Sequence, residues 1–503
     1  MSKRAPALKK PEIMLDQHAS MPLYKQLYQR LRASILEGHL QAGTRLPSTR
    51  ELASTLGVSR TTTALAYQLL LLEGYIQSKV GDGTRVAPLQ SAYLVQASRN
   101  VPELEVSAPW EKPPVGPGQR GQLLMDMPYP EGFYGAQARR GMSLFRVGQP
   151  DVTHFPYEIW ARLLARHARQ SLQAVAFYQY VHGYAPLRQA IATHISVTRG
   201  VDCSPEQIII TTGAQGGLDL VARVLLDPAD VAWVEDPGHS GARGALLAAG
   251  AKPVAVPIDE QGLDVGTGRQ LSTKARLAIV TPSNQFPTAV TMSLNRRLAL
   301  LEWSREARAW IVEDDYDSEY RYSGRPLEAL HGLDRAGRVL YIGTFSKVLF
   351  PSLRVGYLVA PLEVLPGLIA MQRLISGYPP LLEQMALADF LTQGYYGRHI
   401  RRMGSLYKER RDVLVEALRR EVGKRVEVSV PEAGMHLVAW LPSGRSAQAV
   451  AQRAAASGLS ILPISAFSRR ALPRDGLVLG FANASPHELE VGVQRLALAL
   501  RAP

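Results

Sequence analysis

Five short apolar runs, separated by helical patterns, constrain the fold of this 503-residue chain more than any other feature. Each run ends in a polar or glycine-rich turn before the next helical pattern begins. This alternation predicts an α/β domain with a mostly parallel sheet from about Leu144 onward. Because ligands of such sheets bind at the carboxyl ends of the strands, we expect functional residues in the turns that follow the runs. The runs are IIIT at 208, VAWVE at 231, LAIVT at 277, AWIVEDD at 309 and VLYIG at 339.

One of these turns, GTFSKVLFPSLRVGY at 343–357, contains a lysine with few polar neighbours in sequence. Burial would lower the pKa of Lys347, and a neutral amine can attack an aldehyde. The hydroxyls of Thr344 and Ser346 and the guanidinium of Arg354 could hold a phosphate beside it. A lysine in a surface loop would give the same local pattern, so the interpretation depends on partners elsewhere in the domain.

A second turn, in IVEDDYDSEYRY at 311–322, offers an acid and a phenol. We expect Asp314 at a strand end, pointing into the crevice, with Tyr316 two positions later. A buried aspartate can bond a protonated pyridine nitrogen, and a phenol can bond a ring oxygen. Acidic clusters at strand ends also hold metals or remain solvated. The order aspartate, tyrosine, lysine, arginine within one α/β domain favours a pyridoxal ring.

Three further turns provide weaker candidates. The stretch TTGAQGGLDL opens a helix whose free backbone N–H groups suit a phosphate. In VEDPGHSGAR, His239 could lie against an aromatic ring, although a loop histidine is often only solvated. The loop TPSNQFPTA presents Asn284 and Gln285.

The N-terminal part of the chain is basic. Residues 1–90 contain 12 Lys and Arg against 6 Asp and Glu, so they carry +6 of the chain's net charge of +13. This excess indicates an anionic partner, usually a nucleic acid, although a solvated basic face would look the same.

Within this basic part, the sequence predicts a helix-turn-helix followed by a hairpin. Apolar residues spaced by four over 20–37 predict an amphipathic helix. A short helix from Pro47-Ser48 to Leu56 and a second one from Ser59 to about Glu73 are joined at Gly57-Val58. Two short strands around Gly81-Asp82-Gly83 then predict a hairpin wing.

Composition sets further bounds. The one cysteine, Cys203, excludes a disulfide framework and a multi-cysteine zinc site, and we expect no metal. No apolar run of membrane-spanning length and no secretory leader is evident, so we expect a cytoplasmic protein. The predicted domains are 1–87 (winged helix), 88–142 (an extended linker rich in Pro and Gly) and 143–503 (the α/β domain).

The stretch LPSTRELASTLGVSRTTTALAYQLLLLEGYI resembles the winged helix of GntR-type transcription regulators. This resemblance implies that the start of the second helix contacts DNA in the major groove and that the wing lies near the minor groove. The residues that it assigns to DNA are Arg50, Ser59, Arg60, Thr61, Thr62, Gly83 and Arg85.

From about residue 144 to the end, the chain resembles a fold-type I aminotransferase domain that uses pyridoxal 5′-phosphate (PLP). The motifs FRVGQPDVTHFP, YVHGYAPLRQAIA, TTGAQGGLDL, VEDPG, TPSNQFPT, EDDYDSEYRY and GTFSKVLFPSLRVGY carry the similarity. Fused to a GntR-like winged helix, this arrangement is similar to the MocR/GabR family of regulators. The family implies a homodimer that binds repeated DNA half-sites and senses a small effector.

The resemblance also assigns cofactor contacts. Lys347 would form the Schiff base with PLP, Asp314 would face the ring nitrogen, and Tyr316 would lie near O3′. The remaining assignments are the phosphate contacts Ala214, Gln215, Thr344 and Arg354, the ring neighbours His239 and Asn284, and Tyr178, lent by the neighbouring subunit.

One departure from the family bears on function. Many members have an arginine that binds a substrate α-carboxylate where this chain has Val478, in GLVLGFANAS. Its absence argues against a working aminotransferase and against an amino-acid sensor, since a charge-assisted pair is lost. It favours PLP itself as the effector, and genes of vitamin B6 synthesis or salvage as the target. The alternatives are a sensor of an amine or amino acid through PLP, and a true aminotransferase with an appended DNA-binding unit.

Overall fold

The computed structural model describes residues 13–17, 19, 21–79, 83–88, 116–127, 144–170, 180–322 and 328–501. The chain divides into two compact units, residues 1–116 and 117–503. Each unit has its own hydrophobic core.

In its described residues the first unit has three helices and a hairpin, which confirms the predicted winged helix-turn-helix. Ser48 and Glu51 form a reciprocal capping box at the start of the second helix, and Gly57 ends that helix with a left-handed φ of 65°. The predicted hairpin turn at 80–82 lies outside the described residues. The elements are α1 (Leu23–Leu36), α2 (Thr49–Leu56), α3 (Arg60–Leu72), β1 (Ile76–Lys79) and β2 (Gly83–Val86).

The core of the first unit follows from the apolar spacing of α1. Leu27, Leu31 and Ile35 fall on one helix face, are buried, and pack with Ala66 and Leu70 of α3. This packing fixes α3 on the body of the unit and leaves the start of α3 at the surface.

The second unit is built on an eight-stranded sheet of order β3-β10-β9-β8-β7-β4-β5-β6. The strands β5, β4, β7, β8 and β9 are parallel neighbours. Towards one edge, β10 pairs antiparallel with both β3 and β9, and at the other edge β6 pairs antiparallel with β5. All five predicted strands are present. The bounds are β3 (Ile208–Thr211), β4 (Val231–Asp236), β5 (Lys252–Asp259), β6 (Gly262–Leu263), β7 (Ala275–Val280), β8 (Trp310–Asp315), β9 (Val339–Thr344) and β10 (Gly356–Val359).

The strands of this sheet read as continuous apolar runs because helices cover both of their faces. On one face, Val312 and Leu340 pack with Leu220 and Val221. On the other face, the indoles of Trp233 and Trp303 stack with their ring centroids 4.0 Å apart.

A second sheet, antiparallel and of order β11-β12-β14-β13, was not predicted from the sequence. Its strands are β11 (Glu427–Ser429), β12 (His436–Trp440), β13 (Leu462–Pro463) and β14 (Gly476–Gly480). The helices that the structure describes in the second unit are α4 (Gln119–Met125), α5 (Tyr157–Gln170), α6 (Ala185–Arg199), α7 (Gly213–Leu225), α8 (Ser240–Ala249), α9 (Val265–Leu271), α10 (Leu294–Ala307), α11 (Leu330–Leu333), α12 (Leu365–Ile375), α13 (Leu381–Thr392), α14 (Tyr395–Glu421), α15 (Ala447–Ala456) and α16 (Pro486–Arg501).

The prediction of an extended linker over 88–142 is wrong for the part of it that the structure describes as α4. This helix packs on α8, and the Arg120 guanidinium donates to the carbonyl of Ala248 at 3.4 Å. Seven residues are too few to show a helical period, so the Pro and Gly content around them dominated the sequence pattern. Residues from 117 onward therefore group with the second unit.

Among the residues that the structure describes, no helix is long and apolar enough to cross a membrane.

Candidate functional site

A cavity of about 260 Å³ opens where β7, β8 and β9 end, which is the edge expected for ligands of this kind of sheet. Its volume is near the lower end of the roughly 300–1,000 Å³ found for small-molecule sites. The described residues that line it are Val147, Gly148, Gln149, Ala214, Gln215, His239, Thr281, Phe286, Asp314, Tyr316, Thr344, Ser346, Lys347, Pro351, Arg354 and His436.

Lys347 is buried in this cavity, in the turn after β9. Its Nζ donates to the carbonyl oxygen of Gly148 at 2.9 Å. Burial lowers the pKa of Lys347, while Asp317 and Asp314 act in the opposite direction. Gly148 has a φ of +67°, which favours glycine, and a Cβ there would lie 2.8 Å from the Nζ, so the amine would have to move aside. The lowered pKa favours the neutral, nucleophilic amine.

Asp314 lies near the end of β8 with its side chain in the cavity wall. Burial, then Asp315 and Glu235, raise its pKa to about 7, and Lys347 opposes the shift. Its Oδ1 has no hydrogen-bond partner among the described residues. A buried carboxylate oxygen left in this way calls for a donor from a ligand. A protonated pyridine nitrogen would be such a donor.

Tyr316 lines the cavity, and Asn284 supports it from outside the lining. The Asn284 Nδ2 donates to the Tyr316 hydroxyl at 3.2 Å and to the Asp317 carboxylate at 2.9 and 3.0 Å. Asn284 was predicted as a ring neighbour, but the structure does not bring it to the cavity wall. Its amide serves to orient the phenol.

One end of the cavity is suited to a phosphate. Ala214 and Gln215 open α7, where backbone N–H groups are free to donate. The Ser346 Oγ is buried without a hydrogen-bond partner in the described part of the chain. Arg354 lies beside them and donates to the Thr212 carbonyl at 2.9 Å. The predicted phosphate contacts, including Thr344, are therefore brought together.

The remaining walls are aromatic and uncharged. His239, predicted as a ring neighbour, does line the cavity. His436 and Phe286 line it too, although neither was predicted as a site residue. Burial, then Lys347, lowers the pKa of His239 to about 4, and burial lowers that of His436 to about 4, so both imidazoles are neutral near pH 7. Phe286 could have been predicted from the sequence because it lies in the motif TPSNQFPT, whereas no motif contains His436.

These residues fit PLP. Lys347 would meet its aldehyde, Asp314 its ring nitrogen, Tyr316 its phenolic oxygen, and the start of α7 with Arg354 its phosphate. The unpartnered Asp314 Oδ1 and Ser346 Oγ are the observations on which this fit rests. When bound, PLP supplies an electrophilic aldehyde and an electron-withdrawing ring.

The position where the resemblance would put a carboxylate-binding arginine is occupied by a buried apolar side chain. Val478, in the middle of β14, is fully buried and packs with Val438 and Ile464. A ligand carboxylate would find no cation at this position. The predicted contact from Tyr178 lies outside the described residues.

In the first unit, the residues assigned to DNA differ in their surroundings. Arg50, Arg60 and Thr61 are exposed and free to reach a phosphate or a base. Ser59 caps α3 by accepting from the backbone N–H of Thr62 at 3.1 Å, and the two hydroxyls lie 2.8 Å apart.

The wing residues also differ. Gly83 begins β2 at the surface, and the Arg85 guanidinium donates to the Gly43 carbonyl at 3.0 Å. These contacts tie Arg85 and the Ser59–Thr62 pair to the fold, whereas DNA contact by any of the seven stays a prediction.

Comparison with known proteins agrees with both units. Residues 142–496 match the family "Aminotransferase class I and II", and residues 23–86 match "Bacterial regulatory proteins, gntR family". The chain is 41% identical over 490 residues (97% of this chain, 96% of the relative) to the "Probable rhizopine catabolism regulatory protein MocR" of Rhizobium meliloti. It is 30% identical over 473 residues (94% of each chain) to the "HTH-type pyridoxine biosynthesis transcriptional regulator PdxR" of Corynebacterium glutamicum.

Among solved structures, the α-aminoadipate aminotransferase LysN of Thermus thermophilus, complexed with N-(5′-phosphopyridoxyl)-L-leucine, superposes with a TM-score of 0.66 and 32% identity. The match covers 74% of this chain and 95% of that one. With both units matched and the identity to MocR sustained over nearly the whole length, this chain belongs to the MocR-type transcription regulators, in which a GntR-type winged helix precedes an aminotransferase class I and II domain.

Proposed function

We propose that this protein is a PLP-binding regulator that binds operator DNA through its winged helix and changes that binding with the ligand state of its cavity. One observation carries the proposal: the cavity gathers Lys347, Asp314 and Arg354 in the same chain as α3, whose first residues are exposed. The role is regulation rather than turnover, since no cation stands at position 478 to hold an α-carboxylate.

Different side chains of the protein hold different parts of PLP. Lys347, with its lowered pKa, provides the anchoring amine, and Asp314 keeps the ring nitrogen protonated once PLP is bound. Asn284 donates to the Tyr316 oxygen, which leaves the phenolic proton free for the cofactor. The neutral His239 and the ring of Phe286 exclude water from the walls.

We propose a homodimer that places two winged helices on repeated half-sites, as expected of a symmetric DNA-binding protein. A ligand changes DNA binding only if it binds two arrangements of the dimer with different affinity.

For the effector, the closed position 478 supports PLP itself, with vitamin B6 genes as the target. The similarity to the regulator named for pyridoxine biosynthesis supports the same choice. An amine sensed through bound PLP is the second candidate. It is favoured by the higher identity to the regulator named for rhizopine catabolism.

The test is an electrophoretic mobility shift assay on DNA upstream of vitamin B6 genes, with and without PLP, for the wild type and Lys347→Ala. A PLP-dependent change in affinity or footprint that the variant lacks is the expected result. Equal DNA binding in all four samples would reject PLP as the effector. If the protein binds none of the candidate operators, vitamin B6 genes are rejected as its target.

A further inference from the structure

Residues 44–46 pair with β2 and so widen the wing by one short extended segment. The backbone N–H of Leu46 donates to the Thr84 carbonyl at 2.8 Å. In this antiparallel pairing, Arg45 lies directly opposite Arg85. The wing therefore has three paired segments, and the added one leads into the start of α2.

The two faces of the wing differ in chemistry. Side chains alternate between the faces of a sheet, and Leu46, Ile76 and Val86 are buried on the face that packs on the core of the first unit. At the described positions of the opposite face, which we call the outer face, every charged residue is a cation. These residues are Arg45, Lys79 and Arg85. The turn at 80–82, which contains Asp82, lies outside the described residues.

The side chain of Arg45 lies across Gly83 on this outer face. From the position that a Cβ of residue 83 would occupy, the Nε, Nη2 and Cζ of Arg45 are 3.1, 3.3 and 3.6 Å away. The guanidinium of Arg45 is exposed and makes no hydrogen bond or ion pair with the described part of the chain. Arg85, in contrast, donates to the Gly43 carbonyl at 3.0 Å. Of the two opposed arginines, Arg45 is therefore the one presented to solvent.

This arrangement costs stability in the isolated protein, because like charges directly opposite each other on neighbouring strands repel. A partner with closely spaced negative charges would convert the repulsion into attraction, and the phosphates of duplex DNA are such a partner. The segment that carries Arg45 is also held beside α3, since the Tyr67 hydroxyl donates to the Pro47 carbonyl at 2.9 Å. The outer face thus belongs to the same small body as the helix expected in the major groove.

We propose that Arg45 binds a phosphate of the DNA backbone beside the bases read by α3, and that Gly83 acts by leaving room for the Arg45 side chain. Arg45 is not among the seven residues that the resemblance assigns to DNA, and Gly83 was assigned there as a contact in its own right. The inference rests on the DNA-binding part of the proposed function and is independent of the effector.

The test is fluorescence anisotropy of the full-length protein with a labelled duplex of random sequence, over a range of salt concentrations. Phosphate contacts supply nearly all non-specific binding, so no operator is needed. We expect Arg45→Gln to weaken binding about tenfold at low salt. It should also lower the slope of log affinity against log salt concentration by about 0.9 for each wing that contacts the duplex.

Two further variants make the result specific. Arg45→Lys, which keeps the charge, should retain most of the slope. Arg30→Gln on α1 makes the same charge change at another exposed position of the first unit. If Arg45→Gln has the slope of the wild type, or loses no more than Arg30→Gln, the proposal is overturned.

A double-mutant cycle tests the role of Gly83. Gly83→Ala should weaken DNA binding in the wild-type background and have little further effect in Arg45→Gln, where the displaced side chain is already absent. Gly74→Ala controls for backbone strain, because its φ is also positive, at +75°, and nothing lies within 4 Å of the added Cβ. Fully additive losses would show that residue 83 acts on DNA independently of Arg45, against the proposal.

Thermal unfolding of the same proteins separates binding from folding. Removal of one of two opposed guanidiniums should leave Tm unchanged or raise it, so a lower Tm in Arg45→Gln would indicate a structural role and contradict the proposal. A wild-type protein that binds no duplex DNA contradicts the proposed function. A wild type that binds DNA with or without the guanidinium at position 45 contradicts this inference alone.

Discussion

The Nζ of Lys347 donates to the carbonyl of Gly148 at 2.9 Å, across 199 positions of sequence. Gly148 has a φ of +67°, a backbone conformation that favours glycine. The contact joins the segment before α5 to the turn after β9.

We expect Gly148→Ala to weaken PLP binding about tenfold, because its φ of +67° is strained for an L side chain inside the cavity and the new Cβ, 2.8 Å from the Lys347 Nζ, would displace the amine. Gly337→Ala is the matched control: its φ is also positive, at +64°, but nothing lies within 4 Å of the added Cβ. Fluorescence titration with PLP measures both. A Gly148→Ala protein that binds PLP as tightly as Gly337→Ala and the wild type would contradict the prediction.

Asn284→Ala should weaken PLP binding and shift the pH dependence of its absorbance, since Tyr316 and Asp317 both lose the amide donor. The loss of these hydrogen bonds should make the free energy of PLP binding less favourable by about 1–3 kcal/mol. Asn284→His, which keeps a ring N–H donor, should restore part of both properties. The exposed Asn295, changed to Ala, serves as the control. An unaltered absorbance titration in Asn284→Ala would contradict the orienting role.

The pKa of Asp314, raised from 3.8 to about 7, predicts a pH-dependent stability of the PLP-free protein. Between about pH 4 and pH 7 the folded state binds more protons than the unfolded state, so the free energy of unfolding falls as pH rises. Above about pH 7 this contribution is constant. Asp314→Asn removes it.

The variant should therefore be more stable than the wild type by a few kcal/mol at pH 8, and by much less at pH 5. Urea unfolding of both proteins at the two pH values gives the difference. PLP binding should be weakened in the variant at both. A stability difference that does not depend on pH would rule out titration of Asp314 in this range.

For DNA, Arg60→Gln should cost about 1–3 kcal/mol of binding and relax the preference at one base pair, if its guanidinium reads a base. Arg50→Gln should weaken binding to all sequences similarly and lower the salt dependence by about one phosphate contact. Arg30→Gln on α1, also exposed, makes the same charge change outside the predicted contacts. Fluorescence anisotropy over a range of salt concentrations measures the DNA affinity of all three variants. If Arg30→Gln loses as much affinity as the other two, the losses come from net charge and not from specific contacts.

The sequence was sufficient for five of the eight strands of the central sheet, β3, β4, β7, β8 and β9, and for the turns that hold the cofactor residues, whereas β5, β6 and β10 were not predicted. Strands buried on both faces are apolar throughout, so they stand out without alternation, as β7 and β9 do. The chemistry then follows at their ends, where Asp314 and Lys347 were expected and are found.

The second sheet gave no such signal, because β11 and β13 have only three and two residues. His436 could not be predicted either. It reaches the cavity through β12, and the position of β12 depends on its long-range pairing with β14. The position of Asn284 behind Tyr316 likewise depends on how two loops meet, which residue spacing does not encode.

The burial of Val478 also affects how this protein can evolve. An arginine placed at this position would enter the apolar cluster with Val438 and Ile464, where a guanidinium without a bound ligand would remain unpaired. Such a sequence would be less stable before any new ligand could compensate for it. A carboxylate-binding arginine at position 478 therefore requires changes in the neighbouring side chains first.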